Sequence, residues 1–255
     1  MKRIASPDRI CLLLTLTVFS LLFAHSACAG GPSITTGLGY KPMVQQLCAA
    51  YALQSGNQPT EMYSGNIGQI IEQAKAGSGV SIIVSEKASL QESGLAFAEY
   101  RPLGEAVLVL AWRKGLQLAS PQDLNRLEFA KIGYPDAKAA IYGRAAVAFM
   151  KGNKLFEPLK AKLSMLSTVP QVFSYLVSGD LDAAFVNEAV ARKQADSIGG
   201  WMEVREGYTP LLLVAGVVAG QENNADVLSF LQFLKTPEAQ RILAGNGLRP
   251  IHAAE

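Results

Sequence analysis

The sequence predicts an α/β protein built on a mostly parallel sheet. Short apolar runs rich in β-branched residues, such as 80–84 and 183–186, alternate with helix-length segments whose apolar residues recur every three or four positions. Alternation at this spacing is typical of parallel strands joined by crossover helices. A longer apolar run at 106–112 predicts a strand that crosses into a second lobe.

The first 29 residues are predicted to be a signal peptide rather than part of the fold. Three basic residues precede an apolar run at 10–24, and Ala27-Cys28-Ala29 supplies the small residues of a cleavage site. A transmembrane anchor is the weaker interpretation, because about 15 apolar residues fall short of the roughly 20 that span a bilayer. We therefore expect export to the periplasm, with a lipid anchor at Cys28 as a minor alternative.

Composition excludes several classes of function. The chain has 255 residues, of which 49% are hydrophobic and 17% charged, as in a compact globular protein. Three of the 23 basic and one of the 21 acidic residues lie in the leader, so 20 of each remain and no nucleic-acid partner is expected. After the leader, Cys48 is the only cysteine and His252 the only histidine. We therefore expect no disulfide, no histidine triad and no cation site built from histidines.

Local signals place the elements along the chain. Pro42 sits where the first turn of a helix accepts proline, and Gly56 is a stop signal. Ser120 is predicted to cap a helix start, and Pro237 is expected to interrupt the last helix. We predict extended segments at 33–36, 59–63, 80–84, 106–112, 129–133, 163–166, 183–187 and 211–218, with helices opening near 42, 67, 121, 141, 168 and 226.

Four predicted loops share one design, in which a strand is followed by a short loop of small or hydroxyl-bearing residues and then a helix. They are 37–40, 64–66, 137–141 and 167–169. Such loops lie together at the carboxyl ends of parallel strands, where ligands bind in open α/β folds. Each loop alone is an ordinary turn and helix cap. Together, their backbone N–H groups and neutral side-chain donors predict a site for a small anion.

Several segments resemble the periplasmic molybdate-binding proteins, which are type II solute-binding proteins of ABC importers. The segments are Tyr63-Ser64-Gly65-Asn66, Pro135-Asp136 with Ile141-Tyr142-Gly143-Arg144-Ala145-Ala146, and Thr168-Val169-Pro170-Gln171 with Gly179-Asp180-Leu181-Asp182-Ala183-Ala184-Phe185-Val186. The resemblance continues into 233–240, so it covers nearly the whole chain after the leader.

The resemblance implies a two-lobe α/β fold, in which each lobe is a mixed sheet flanked by helices and the ligand binds in the cleft between them. We assign residues 30–110 and 206–255 to lobe I and residues 111–205 to lobe II. The implied function is capture of a tetrahedral oxyanion, molybdate or tungstate, for delivery to a membrane permease. We expect a monomer with no catalytic step and no cofactor besides this ligand.

Carried over by position, the resemblance predicts Ser64, Val169 and either Ala139 or Ala140 as binding residues, and Gly65 and Asn66 are added because they share the loop of Ser64. Ser64 matches a hydroxyl donor of the family. Val169 and one of the two alanines match backbone N–H donors.

Two positions depart from the family pattern. Gly39 stands where the family has a serine, and Thr36 and Tyr40 lie nearby as substitutes. Asn187 stands where the family often has a tyrosine donor, and its shorter amide side chain is also an acceptor. A different ligand therefore stays open, whether phosphate-like, sulfate-like or an organic acid.

An exported hydrolase is the alternative from a different class. The sequence has no G-x-S-x-G elbow and no usable histidine, so a Ser64 nucleophile would lack a base. Two further residues lie near the predicted anion loop. We expect Arg144 on a solvated helix surface, with supply of charge to the site as the alternative, and Tyr142 in the packing, with ligand contact as the alternative.

Overall fold

The computed structural model describes residues 31–63 and 65–251. The predicted signal peptide, Ser64 and residues 252–255 lie outside these ranges. Within them, no helix combines the length and the apolar character that crossing a membrane requires.

The described residues form ten strands and nine α-helices. The strands are β1 (Ser33–Thr36), β2 (Thr60–Tyr63), β3 (Ile82–Glu86), β4 (Phe97–Ala106), β5 (Leu108–Trp112), β6 (Ile132–Pro135), β7 (Leu163–Leu166), β8 (Ala183–Asn187), β9 (Gly200–Glu203) and β10 (Leu211–Val218). The helices are α1 (Lys41–Ser55), α2 (Ile67–Lys75), α3 (Lys87–Glu92), α4 (Ile141–Gly152), α5 (Phe156–Leu159), α6 (Val169–Ser178), α7 (Glu188–Lys193), α8 (Ala225–Phe233) and α9 (Pro237–Gly245).

The strands build two mixed sheets on the same plan. The first sheet has the order β2-β1-β3-β10-β4, with β1 parallel to β2 and β3 and with β10 antiparallel to its neighbours. The second has the order β7-β6-β8-β5-β9, with β6 parallel to β7 and β8 and with β5 antiparallel to its neighbours. Three parallel strands therefore end at one edge of each sheet, where their loops can form a site.

Several predicted helix signals lie at the ends of helices, whereas the segment after Ser120 forms only a short 3₁₀ helix, Pro121–Asn125. Pro42 lies in the first turn of α1, and Gly56 ends that helix in the left-handed conformation with φ of 75°. The hydroxyl of Thr168 caps α6 by accepting from the N–H of Gln171. These local choices fix where each helix begins relative to the strand before it.

Two strand predictions need correction. The run 106–112 is not one strand, because Val107 separates β4 in the first sheet from β5 in the second. Most of β4, and all of β9, escaped prediction because both are edge strands with mixed, partly exposed residues. The strands of the first sheet come from 33–106 and 211–218 and those of the second from 108–203. The lobe boundaries at 110 and 206 stay a prediction.

Close packing of α4 against β6 depends on Gly143. A Cβ atom at this position would lie 2.2 Å from the carbonyl oxygen of Pro135 and 2.6 Å from that of Asp136. Both contacts are with backbone, which cannot swing away as a side chain does. The glycine therefore lets the start of α4 approach the end of β6.

We expect Gly143→Ala to lower the free energy of unfolding by about 1–3 kcal/mol, the usual cost of overpacking. Gly245→Ala is the matched control, because a Cβ atom there meets no atom within 4 Å. Urea denaturation of both variants measures the difference. Equal stability of Gly143→Ala and the wild type would contradict the close approach.

Candidate functional site

A cavity of about 50 Å³ lies where loops from the two sheets meet. Its volume exceeds the ~10–15 Å³ that one water needs, and is small for an organic ligand. The described residues that line it are Gly37, Leu38, Gly39, Tyr40, Gly65, Asn66, Ile67, Ser85, Ala140, Ile141, Tyr142, Thr168 and Val169. None of these is Lys, Arg or His.

Four helices begin at this cavity. The residues just before α1, α2, α4 and α6 are Tyr40, Asn66, Ala140 and Thr168, and all four line it. A helix N-terminus carries roughly half a positive charge, so four of them supply roughly two. The cavity can therefore attract a dianion without a cationic side chain.

Backbone N–H groups at two of these helix starts are available to a ligand. Among the described residues, the N–H groups of Ile141, Tyr142 and Val169 have no acceptor. The N–H groups of Ala139 and Ala140, by contrast, both donate to the carbonyl of Asp136, at 3.3 and 2.8 Å. The N–H groups without an acceptor therefore lie one to three residues beyond Ala139 and Ala140.

Tyr40 and Tyr142 form a buried pair across the cavity. Their hydroxyls are hydrogen-bonded to each other and their ring centroids lie 5.9 Å apart, with 6% and 3% of the residues exposed. Burial raises the pKa of Tyr40 well above its ordinary value, and Tyr142 and Glu86 add to the effect. Burial also raises the pKa of Tyr142, against the lowering effect of its hydrogen bond with Tyr40. Both phenols therefore stay protonated, and one hydroxyl proton of the pair is free for a ligand.

Most of the predicted binding residues converge on the cavity. Gly39, Tyr40, Gly65, Asn66, Ala140 and Val169 line it. Ala139 instead borders a surface groove beside Gly68. Ser64 lies outside the described residues. Ligand contact by any of these residues stays a prediction.

The side chains of Thr36 and Asn187 form hydrogen bonds within the protein. The buried hydroxyl of Thr36 donates to the carbonyl of Val84 at 2.8 Å. Asn187 caps α7 by accepting from the N–H of Val190 at 3.0 Å, and its amide donates to the carbonyl of Gly39 at 3.3 Å. Asn187 thus joins the second sheet to the first loop, and neither residue lines the cavity.

Several lining residues were not among the predicted binding residues. Ser85 could have been found, because it lies at the carboxyl end of a strand predicted from its β-branched residues. Tyr142 was assigned to packing, since no local pattern reveals its contact with a residue 102 positions away. The side chain of Arg144 is 38% exposed, and its guanidinium pairs with Ser89 and Glu86.

A family model described as bacterial extracellular solute-binding protein matches residues 33–249. The chain therefore belongs to this family. The molybdate-binding protein ModA of Rhodobacter capsulatus is 23% identical over 232 residues, which cover 88% of this chain and 90% of the relative.

Solved structures share the fold. The periplasmic molybdate-binding protein of Azotobacter vinelandii has a TM-score of 0.77 at 21% identity, over 87% of this chain and 100% of that one. The sulfate-binding protein SubI of Mycobacterium tuberculosis H37Rv has a TM-score of 0.69 at 15% identity, over 88% and 87%. These similarities confirm the predicted fold class, a two-lobe type II periplasmic binding protein. Both structures are less than 25% identical to this chain, so they establish the fold and not the ligand.

The tyrosine pair predicts a non-additive effect on stability without ligand. Tyr40→Phe or Tyr142→Phe leaves one buried hydroxyl without its partner, so each should lower the free energy of unfolding by about 1–3 kcal/mol. Replacing both tyrosines should lower the free energy of unfolding by less than the sum of the two single losses. Chemical denaturation of the two single variants and the double variant measures these losses, with Tyr175→Phe at an exposed tyrosine as control. Additive losses would contradict the pairing.

Proposed function

We propose that this protein captures molybdate or tungstate outside the cytoplasm and delivers it to the membrane permease of an ABC importer. The observation that carries the proposal is the meeting of four helix N-termini at one small cavity that no described cationic side chain lines. Oriented dipoles and neutral donors can hold a buried dianion without a counter-charge. The molybdate-binding names of two similar proteins support this choice of anion.

Capture would use both halves of the site. The first sheet contributes the loops before α1 and α2, and the second sheet contributes those before α4 and α6. In an open form each half offers only part of the donor set, and closure completes it. The protein would act as a monomer, with no bond made or broken in the ligand.

A neighbouring groove supports a second candidate ligand. A cavity of about 310 Å³ shares Tyr40 and Val169 with the anion cavity and extends past Met43 and Pro170, with Lys193 among its other lining residues. Its mostly apolar wall is the kind that holds a short carbon chain. The alternative is therefore an organic anion whose charged group occupies the small cavity.

Isothermal titration with an oxyanion panel tests the proposal. We expect molybdate and tungstate to bind with Kd near 1 μM or tighter, about −8 kcal/mol, and sulfate and phosphate to bind more weakly because their tetrahedra are smaller. A three-carbon phosphate monoester that binds more tightly than molybdate would favour the organic anion instead. Absence of binding to the whole panel would refute oxyanion capture.

We expect Ser64→Ala to weaken binding of the preferred oxyanion by about 1–3 kcal/mol, the scale for losing one hydrogen bond to a charged group. This expectation rests on the resemblance of the Tyr63-Ser64-Gly65-Asn66 segment to the periplasmic molybdate-binding proteins. Ser178→Ala is the control, because its hydroxyl contacts Tyr175 and Asp180 at the far end of α6. Unchanged titration of Ser64→Ala would remove Ser64 from the site.

A further inference from the structure

A buried carboxylate lies near the anion cavity, and its charge helps to raise the pKa of Tyr40, which lines the cavity. Glu86 follows Ser85, which lines the cavity, and its side chain is only 10% exposed. Its oxygens cap α3 by accepting from the N–H groups of Ala88 and Ser89, each at 2.8 Å, and from the Ser89 hydroxyl at 2.6 Å. These neutral donors hold the carboxylate in place but do not cancel its charge. Left uncompensated, that charge would repel an anion in the cavity.

The positive charge that compensates Glu86 comes from the opposite side of the cleft. Arg144 lies on α4, two residues beyond Tyr142, and its Nη2 atom is 3.7 Å from Oε2 of Glu86. The same guanidinium donates to the Ser89 hydroxyl. Within residues 31–63 and 65–251, Glu86 has no other ion-pair partner. The pair therefore joins a helix of the second sheet to the end of a strand of the first.

A second buried carboxylate differs from Glu86 because it has an arginine partner on its own helix. Glu188 is 1% exposed and pairs with Arg192, four residues along the same helix α7. It also lies 3.4 Å from Nη2 of Arg249. Because Arg192 and Glu188 share a helix, their pair survives any movement of one sheet relative to the other. The compensation of Glu86 has no such local partner.

Building on the proposed function, we propose that Arg144 is a positioning residue that neutralises Glu86 only when the cleft is closed. In the closed form, the guanidinium cancels the carboxylate charge beside the bound anion. When the cleft opens, Arg144 moves away with α4, while Glu86 stays beside the loops of the first sheet. The uncovered carboxylate then disfavours the anion, so Arg144 couples anion retention to closure and promotes release on opening.

Isothermal titration of variants with altered charge tests this role, using the oxyanion that binds the wild type most tightly. We expect Arg144→Gln to raise Kd at least about tenfold, because it leaves a buried carboxylate without its counter-charge. Arg144→Lys, which keeps the charge, should retain most of the affinity. Arg241→Gln is the control, because it removes an arginine from an exposed ion pair with Glu238 on α9.

The decisive variant is the double substitution Arg144→Gln with Glu86→Gln. Removing the carboxylate should restore Kd to within about threefold of the wild type, because the repulsive charge is gone. A purely structural role for Arg144 would give no such rescue. Wild-type affinity in Arg144→Gln, or a loss that Glu86→Gln does not reverse, would overturn the inference while oxyanion capture stands. A wild type that binds no oxyanion would refute the proposed function, and the inference with it.

Discussion

The site depends on one constraint, which is that four helices must begin at the same point. Each helix follows a parallel strand, and the two sheets have the same arrangement of parallel and antiparallel strands. Parallel strands end at a common edge, so the helices after them start side by side. Unpaired N–H groups at those starts carry partial positive charge with fixed orientation. The backbone itself therefore supplies the positive charge on which the proposed capture of a dianion rests.

The surrounding side chains are consistent with that arrangement. Tyr40 and Tyr142 are kept protonated by burial, so the polar wall they form stays neutral and retains a donor. The two buried carboxylates near the site, Glu86 and Glu188, are each paired with arginine rather than aimed at the ligand as free charges. A site that selects by donor placement and cavity size can distinguish tetrahedral anions of equal charge.

The architecture and the four loops that line the cavity could be predicted from the sequence, because both depend on local signals. Strand runs, small-residue loops and helix starts are encoded within a few residues, as Thr168 and its helix illustrate. Long-range contacts have no such local signal. Asn187 stays a predicted binding residue, and the structure adds that its amide donates to the carbonyl of Gly39, 148 residues earlier. The pairing of Arg144 with Glu86 has no local signal for the same reason, because only the folded cleft brings the two together.

The most direct test of the central claim is a crystal structure of the protein with tungstate, located by the anomalous scattering of the metal. The account predicts the anion in the small cavity, with its oxygens 2.7–3.2 Å from the N–H groups of Tyr142 and Val169, the usual range for N–H donors. No lysine, arginine or histidine side chain should touch it. Tungstate bound elsewhere, or held by a cationic side chain, would contradict the account.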